Sequence, residues 1–256
     1  MATTFEDIGP DTGQPPRDAR MAFTMALAMA TVIVAGFSLN LAMGRSSFAV
    51  PLVYHIHAAV FFSWVALFLI QTRLAARGTI AQHRRTGRIA ALLVPLMLVM
   101  GVAIMLTSLR RTGGPFFFAQ NEFLWGNLFG LMCFAGLIGA AYRKRRDTAW
   151  HSRLMLLAMT TLTGPGFGRL LPMPLLIPWA WWISFLIGLI FPVIGMIADK
   201  RRDGAVHPAW LWGSGAIIAV HLVSQAIAYT PPGIALTEWV VAGTPGAERP
   251  MAAYLP

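Results

Sequence analysis

Long apolar runs separated by short basic segments dominate the pattern of this chain. A membrane-crossing helix needs about 20 mostly apolar residues, because each residue adds about 1.5 Å and the hydrocarbon core is about 30 Å thick. Seven runs meet this requirement, at residues 21–43, 50–72, 89–109, 122–142, 152–171, 174–198 and 210–229. The pattern therefore predicts an all-α fold, a polytopic integral membrane bundle of seven transmembrane helices.

The composition supports this class and excludes others. Of the 256 residues, 57% are hydrophobic and 12% are charged, whereas a soluble domain has about 25% charged residues. A soluble enzyme, a disordered chain and a disulfide scaffold are excluded, the last because Cys133 has no second cysteine to pair with. The net charge of +10 does not indicate nucleic acid, since the basic residues cluster between the apolar runs.

The distribution of Lys and Arg predicts the orientation. Fifteen of the twenty basic residues precede the first run or lie in every second connection after it, and five lie on the other side. The positive-inside rule then predicts a cytoplasmic N-terminus and a C-terminus outside, in a bacterial inner (plasma) membrane. The predicted division is a flexible cytoplasmic tail at 1–20, a transmembrane domain at 21–229 and an extracytoplasmic tail at 230–256.

The fifth run contains a predicted break. Three threonines at 160, 161 and 163 precede the segment Gly164-Pro165-Gly166-Phe167-Gly168-Arg169. Proline removes a backbone donor and clashes with the preceding turn, so we expect a kink or an unwound segment near the outer leaflet. Protein or a water-filled cavity must then satisfy the freed backbone groups. The alternative is a helix that ends early, with Arg169 at the interface.

Histidines inside the runs are candidate cofactor ligands. His57 lies about 10 Å below the outer end of the second predicted helix and His221 about 12 Å below the same face on the seventh, at about 1.5 Å per residue. Equal depth is what two axial ligands of a b-type haem iron need, so His57 and His221 are predicted to bind that metal. Arg169 is predicted to neutralise a haem propionate. The alternative is a histidine that only hydrogen-bonds to a neighbouring helix.

The seventh predicted helix carries a polar stripe that favours an inward-facing His221. Its members are spaced by seven, three and one residues: Ser214, His221, Ser224 and Gln225. Polar groups on one stripe normally face the interior of a bundle. His55 lies about 200° from His57 around the helix, so only one of the two can face His221.

Two segments on the predicted cytoplasmic side look alike. His83 begins the run HRRTGR, and His151 begins the run HSRLM. Each places a histidine and arginine near a helix start. One interpretation is interfacial anchoring with positive-inside charge. The other is a site for an anionic headgroup, a quinone head or a second haem at the inner face.

The second-helix histidine, HRRTGR, the cluster RKRRDTAWHSRLM and Arg169 resemble an uncharacterised bacterial family of multi-pass membrane proteins. That family has a histidine in helix two, an HRxxGR turn and an HRxWM-type helix start, and the resemblance covers residues 54–171. Ser152 stands where the family often has arginine. The layout is also distantly similar to di-haem b-type membrane cytochromes, whose ligands lie inside helices. The positions that the family resemblance implies are shared are Tyr54, His57, His83, Arg84, Gly87, Arg88, His151, Arg153 and Arg169.

Three functional hypotheses follow. The first is a protein that binds haem b or a quinone for transmembrane electron transfer. The second is a carrier or sensor for a small amphiphile, which predicts a water-accessible cavity reaching Thr163 and Gln225. The third is a non-catalytic subunit that packs against other membrane subunits through Gly126 and Gly130 of the fourth helix. The expected partners are the lipid bilayer and such subunits, and nucleic acid is not expected. Whether the chain is an enzyme stays open.

Overall fold

A computed structural model describes residues 17–255, and every regular element in that range is helical. The first sixteen residues of the predicted N-terminal tail lie outside the described residues. Short 3-10 turns occur at Met173–Leu176 and Pro245–Glu248. The α-helices are α1 (Arg17–Ala42), α2 (Leu52–Ala76), α3 (Ile80–Gly87), α4 (Ala90–Thr112), α5 (Gln120–Arg143), α6 (Thr148–Thr161), α7 (Gly164–Leu170), α8 (Ala180–Gly188), α9 (Ile190–Asp203), α10 (Pro208–Ala228) and α11 (Pro231–Val241).

Six helical segments of the described chain are long and apolar enough to cross a membrane. They correspond to six of the seven predicted runs, with α8 and α9 forming one segment. The remaining run, 152–171, is divided between α6 and α7. The all-helical class and six membrane-length helices are thus confirmed. The six segments are Asp18–Ala42, Leu52–Ala76, Ala90–Thr112, Gln120–Arg143, Ala180–Asp203 and Pro208–Ala228.

The predicted break in the fifth run lies between Thr161 and Gly164. Threonine hydroxyls accompany it: Thr163 Oγ1 donates to the carbonyl of Thr160 at 2.7 Å, and Thr160 Oγ1 donates to that of Leu156 at 3.0 Å. These bonds give some carbonyls next to the break an additional partner.

Glycines let the broken helix lie directly against α1. A Cβ atom on Gly36 of α1 would overlap the carbonyl group of Gly166 of α7, and a Cβ on Gly166 would crowd the backbone of Ile33. The two backbones therefore touch, which only glycine allows. As a result, α1 packs along both α6 and α7.

The hydrophobic core surrounds α6. This helix packs against α1, α5, α9 and α10, and its residues from Leu156 to Met159 are at most 1% exposed. Many residues on the outer faces of the other helices are large, apolar and exposed, including Leu92 at 76% and Val99 at 65% on α4. A core that is buried within the bundle, with apolar side chains outside it, is typical of helices that contact lipid.

The chain after α10 is docked onto the bundle. Helix α11 packs against α4 and α5. Beyond it, Arg249 Nη1 donates to the carbonyls of Gly113 at 2.7 Å and Gly114 at 2.9 Å. Gln120 Nε2 donates to the carbonyl of Gly246 at 2.9 Å. The segment predicted as an extracytoplasmic tail is thus fixed to the ends of α4 and α5.

Candidate functional site

His57 lies on the second turn of α2, facing α4. Its ring centroid is 4.2 Å from that of Phe61. Its polar neighbours are the backbone of Met100 on α4 and the guanidinium of Arg169 on α7. Nδ1 of His57 is buried, with no hydrogen-bond partner among the described residues.

His221 lies on α10 and packs against α8. Its ring stacks on Phe185 with centroids 3.6 Å apart and planes 6° apart, and it meets Trp182 edge to face at 4.8 Å. Its Nε2 atom is buried without a partner in residues 17–255. All four members of the predicted polar stripe are buried, so the prediction that the stripe faces the interior is confirmed. They are Ser214, His221, Ser224 and Gln225.

The structure does not bring His57 and His221 into contact. Helix α2 packs against α1, α3 and α4, whereas α10 packs against α5, α6, α9 and α11. Similar depth places two residues at the same level of the bundle. Whether they also meet depends on which helices lie next to each other. Their joint binding of a haem iron stays a prediction, without support from helix packing.

Arg169 lies on α7, near His57. Its guanidinium carbon is 3.9 Å from the centroid of Phe37, and Nη1 donates to the carbonyl of Pro165 at 2.8 Å. No carboxylate within residues 17–255 lies within 4 Å of it. A cation–π contact and one carbonyl therefore hold this side chain, and its predicted propionate role stays a prediction.

The two look-alike segments do meet. His83 on α3 and His151 on α6 have ring centroids 6.4 Å apart, with planes at 90°. Helices α3 and α6 are separated by 60 residues of chain between Gly87 and Thr148. Of the five histidine and arginine site candidates, these two form the one histidine pair that the described structure brings together.

Each imidazole of this pair is held through Nδ1. His151 Nδ1 donates to the carbonyl of Ala141 on α5 at 2.9 Å. His83 Nδ1 lies 3.2 Å from the backbone carbonyl of Gln71 on α2. With its amide turned to suit its neighbours, the Gln71 side chain also donates to this nitrogen at 2.8 Å and accepts from the Gly87 amide at 3.0 Å. Gln71 therefore serves either neutral tautomer of His83.

The second nitrogen of each imidazole remains available. Neither Nε2 has a hydrogen-bond partner in the described part of the chain. Neither belongs to the fully buried side-chain atoms of that part that lack a partner. Both residues are half-buried. A histidine whose Nδ1 hydrogen-bonds to a backbone carbonyl, with Nε2 left open, is the arrangement that orients metal ligands in proteins.

A buried ion pair includes Arg153, two residues after His151. Arg153 donates to Asp199 of α9 through Nε at 2.8 Å and Nη2 at 2.7 Å. Arg153 also contacts Asp18 of α1 at 3.4 Å, and Arg202 contacts Asp199 at 3.1 Å. The cluster joins α1, α6 and α9. Sequence reasoning singled out Arg153 but missed Asp199, because a lone acid at the end of an apolar run carries no sign of its partner.

A second buried acid was also missed. Glu122 is 5% exposed and accepts from the Tyr229 hydroxyl at 2.9 Å. With its amide suitably oriented, Gln225 donates to the same carboxylate at 3.3 Å and accepts from Trp181 Nε1 at 2.9 Å. Glu122 lies in the first turn of α5, where the helix N-terminus favours a negative charge. Its hydrogen bonds and its position at the helix N-terminus therefore account for Glu122 as a structural residue. Its place at the start of a predicted helix was the feature of the sequence that could have indicated this.

A small cavity lies at the break between α6 and α7. Its volume is about 60 Å³, and its wall includes Thr160, Thr163, Ser184 and Gly188. At about 30 Å³ per molecule it holds about two waters. It reaches Thr163, as the carrier hypothesis predicted, but Gln225 is not part of its wall. A cavity of this size does not accommodate an amphiphile.

No group of three or more His, Cys, Asp or Glu residues in the described range is arranged to hold a metal ion. The fold defines the chain as an all-helical protein with six membrane-length helices. Neither a protein-family model, nor a curated protein, nor a solved structure matches the chain.

Proposed function

We propose that this protein is a membrane-embedded electron-transfer protein that binds a b-type haem between His83 and His151. The observation that carries the proposal is the meeting of these two imidazoles, each tied through Nδ1 and each with an open Nε2. The proposal keeps the function expected from the sequence and moves the ligand pair to the other end of the bundle.

The spacing of the rings supports iron ligation. Two axial imidazoles across one metal have centroids about 6.2 Å apart, since each metal–nitrogen bond is about 2.0 Å long and each centroid lies about 1.1 Å beyond its nitrogen. The observed separation is 6.4 Å. The 90° angle between the ring planes does not exclude a shared metal, because ligation would constrain the positions of the two nitrogens and not the angle between the rings.

The number of ligands favours haem over a bare metal ion or a quinone. A structural zinc ion needs four protein ligands, and the described chain offers no group of three. The porphyrin supplies the other four ligands of a haem iron, so two imidazoles suffice. A quinone clamped through both carbonyls would need nitrogens roughly 11 Å apart, with each hydrogen bond about 2.8 Å long. The pair is too close for that.

Nearby arginines supply the charge that haem propionates need. Arg84, Arg85 and Arg88 flank His83, are exposed, and have no ion-pair partner in residues 17–255. Charge-assisted hydrogen bonds from arginine to carboxylate are strong and often bidentate. In this proposal they take the propionate role that the sequence suggested for Arg169.

The proposal places the chain in a bacterial inner membrane with seven crossings, a cytoplasmic N-terminus and an external C-terminus. Contacts along α1 support α6 and α7 as one crossing. Asp18 near the start of α1 contacts Arg153 near the start of α6, and Gly36 further along meets Gly166 on α7. The broken helix therefore runs parallel to α1 over most of its length. The basic residues beside His83 and His151 then lie on the cytoplasmic side.

The decisive experiment is the visible spectrum of the purified full-length protein, oxidised and reduced, after haem-replete expression. We expect a Soret band that shifts on reduction. His83→Ala and His151→Ala should each lose the band or convert it to a five-coordinate form, because each removes one axial nitrogen. His55→Ala is the matched control, since His55 is exposed and packs on Phe48.

Three results would overturn parts of this proposal. A protein with no Soret band is not a haem protein. A band that survives both His83→Ala and His151→Ala has other ligands. If the band is lost in His57→Ala and His221→Ala but kept in His83→Ala and His151→Ala, the ligands are the pair predicted from equal depth.

A further inference from the structure

An open groove of about 320 Å³ lies on the outer surface of α9, where this helix ends. Met196, Ile197 and Val206 form its apolar wall, and Lys200 and Arg201 lie at its basic end. Its volume is at the lower end of the range for small-molecule sites, about 300–1,000 Å³. The groove combines an apolar floor with two cations at the edge of a membrane-length helix.

The register of α9 directs these side chains outward. Asp199 is fully buried against Arg153, which fixes the face of α9 that points into the bundle. Ile197 and Arg201 are each two residues from Asp199, about 200° around the helix, and so point away from the core. Lys200 follows Ile197 by three positions, which places its stem beside that side chain.

The turn after α9 completes the groove. Gly204 has φ +74°, a left-handed conformation that favours glycine, and it returns the chain so that Val206 reaches the groove. Lys200 Nζ donates to the carbonyl of Gly204 at 2.7 Å, which holds the ammonium group at the rim. Arg201 has no hydrogen-bond or ion-pair partner among the described residues.

The acids on this helix do not cancel the charge at the rim. Asp199 is paired with Arg153 and Arg202, and Asp203 is paired with Arg202. Lys200 and Arg201 therefore present unbalanced positive charge at the end of an apolar groove. Basic residues at the cytoplasmic ends of membrane helices attract anionic headgroups, whereas an apolar floor accepts an acyl chain.

We propose that this groove is a binding site for an anionic phospholipid. The phosphate lies between Lys200 and Arg201, and an acyl chain lies along Met196, Ile197 and Val206. The lining of the groove includes neither His83 nor His151, so failure of the lipid proposal leaves the haem proposal untouched, and the reverse also holds.

The test is native mass spectrometry of the detergent-solubilised full chain, titrated with phosphatidylglycerol or with phosphatidylcholine of the same acyl chains. We expect preferential retention of phosphatidylglycerol. The double variant Lys200→Gln/Arg201→Gln should bind it at least about tenfold more weakly, since each surface cation contributes on the order of a fivefold factor. The variant Arg145→Gln/Arg146→Gln is the matched control, because it removes two cations from the exposed turn after α5.

Two further arms separate the lipid from other occupants. Ile197→Trp fills the groove without changing its charge and should reduce phosphatidylglycerol retention. Glycerophosphoglycerol, which is the headgroup without chains, should bind far more weakly than the intact lipid. Equal losses in the groove and control variants, or equal binding of the chain-free headgroup, would overturn the proposal. A dimer that disappears in Ile197→Trp would assign the groove to a second copy of the chain and would overturn it as well.

Discussion

Replacing Asp199 with asparagine should destabilise the fold far more than the same replacement at Asp203. Both acids lie on the last two turns of α9 and both contact Arg202. They differ in burial: the Asp199 side chain is 0% exposed, whereas the Asp203 side chain is 50% exposed. Asp199 also accepts two hydrogen bonds from Arg153, itself 3% exposed. The change therefore leaves a buried guanidinium without its countercharge.

The size of the effect follows from this burial. Removing one partner of a buried ion pair costs about 3–5 kcal/mol, because the remaining charge loses both water and its partner. For a chain of this size, 1 kcal/mol shifts the unfolding midpoint by about 2–4 °C. Asp199→Asn should therefore lower the midpoint by about 6–20 °C. Asp203→Asn should change the midpoint far less, since an exposed ion pair contributes little to stability.

Thermal unfolding of both variants in one detergent, followed by circular dichroism, measures the difference. A double-mutant cycle with Arg153→Met isolates the pairwise part, because the double variant buries no uncompensated charge. We expect Arg153→Met/Asp199→Leu to be more stable than either of the single variants of this cycle, Arg153→Met and Asp199→Leu. If Asp199→Asn and Asp203→Asn melted within about 2 °C of each other, the buried pair would not be joining α1, α6 and α9 as described.

Three further predictions concern packing, acid stability and cofactor retention. Gly126→Ala on α5 should lower the unfolding midpoint, because its Cβ would overlap a tryptophan ring of α8. Gly130→Ala is the control: its Cβ meets open space, so this change should raise stability by up to about 1 kcal/mol. Equal shifts of the midpoint would contradict the close approach of α5 to the tryptophan ring. Burial, with a smaller contribution from a nearby arginine, holds the pKa of His207 below its ordinary value of 6.5. Just below pH 6.5 the folded state therefore keeps this ring neutral, whereas the unfolded state takes up a proton. Stability that is present above pH 6.5 should therefore decline as the pH falls below it. The stability of His207→Asn, whose side chain still caps α10, should decline less in denaturation series run between about pH 5 and 8. Superimposable pH profiles of the two proteins would argue against this role of His207. Gln71→Leu should weaken haem retention about 10- to 100-fold and alter the spectrum while leaving the fold intact. The change removes the side-chain amide that donates to His83 Nδ1 and leaves only the backbone carbonyl at position 71 to orient the ring. An unchanged spectrum and unchanged retention would count against Gln71 as a positioning residue.

The sequence was sufficient to predict six membrane-length helices and the break in the fifth run. Membrane-length apolar runs are a strong signal, since a helix in lipid must satisfy all its backbone groups internally. Six predicted runs agree with membrane-length helices, and the break in the fifth falls at Thr161–Gly164. The polar stripe on α10 was predictable for a similar reason, because spacing alone places Ser214, His221 and Gln225 on neighbouring positions.

Which histidines meet was not predictable from the same information. Depth is readable from position along a helix, but the lateral order of the helices depends on packing between side chains far apart in sequence. The glycine contact between Gly36 and Gly166 is one such determinant, and nothing local to either residue announces it. The look-alike runs at His83 and His151 carried a usable signal, because both were predicted at the same membrane face.

The two members of this pair are held with different rigidity, which indicates how a ligand would adjust it. His151 is fixed from two directions: its Nδ1 is bonded to Ala141, and Arg153 two residues later is locked to Asp199. His83 lies on α3, a helix of eight residues that follows the left-handed turn at Gly78 and packs extensively against α2 alone in the described range. Any change in the 6.4 Å separation on ligand binding should therefore come from α3. Hydrogen exchange with and without haem should show increased protection at α3 and little change at the start of α6, and the opposite distribution would contradict this assignment of the mobile partner.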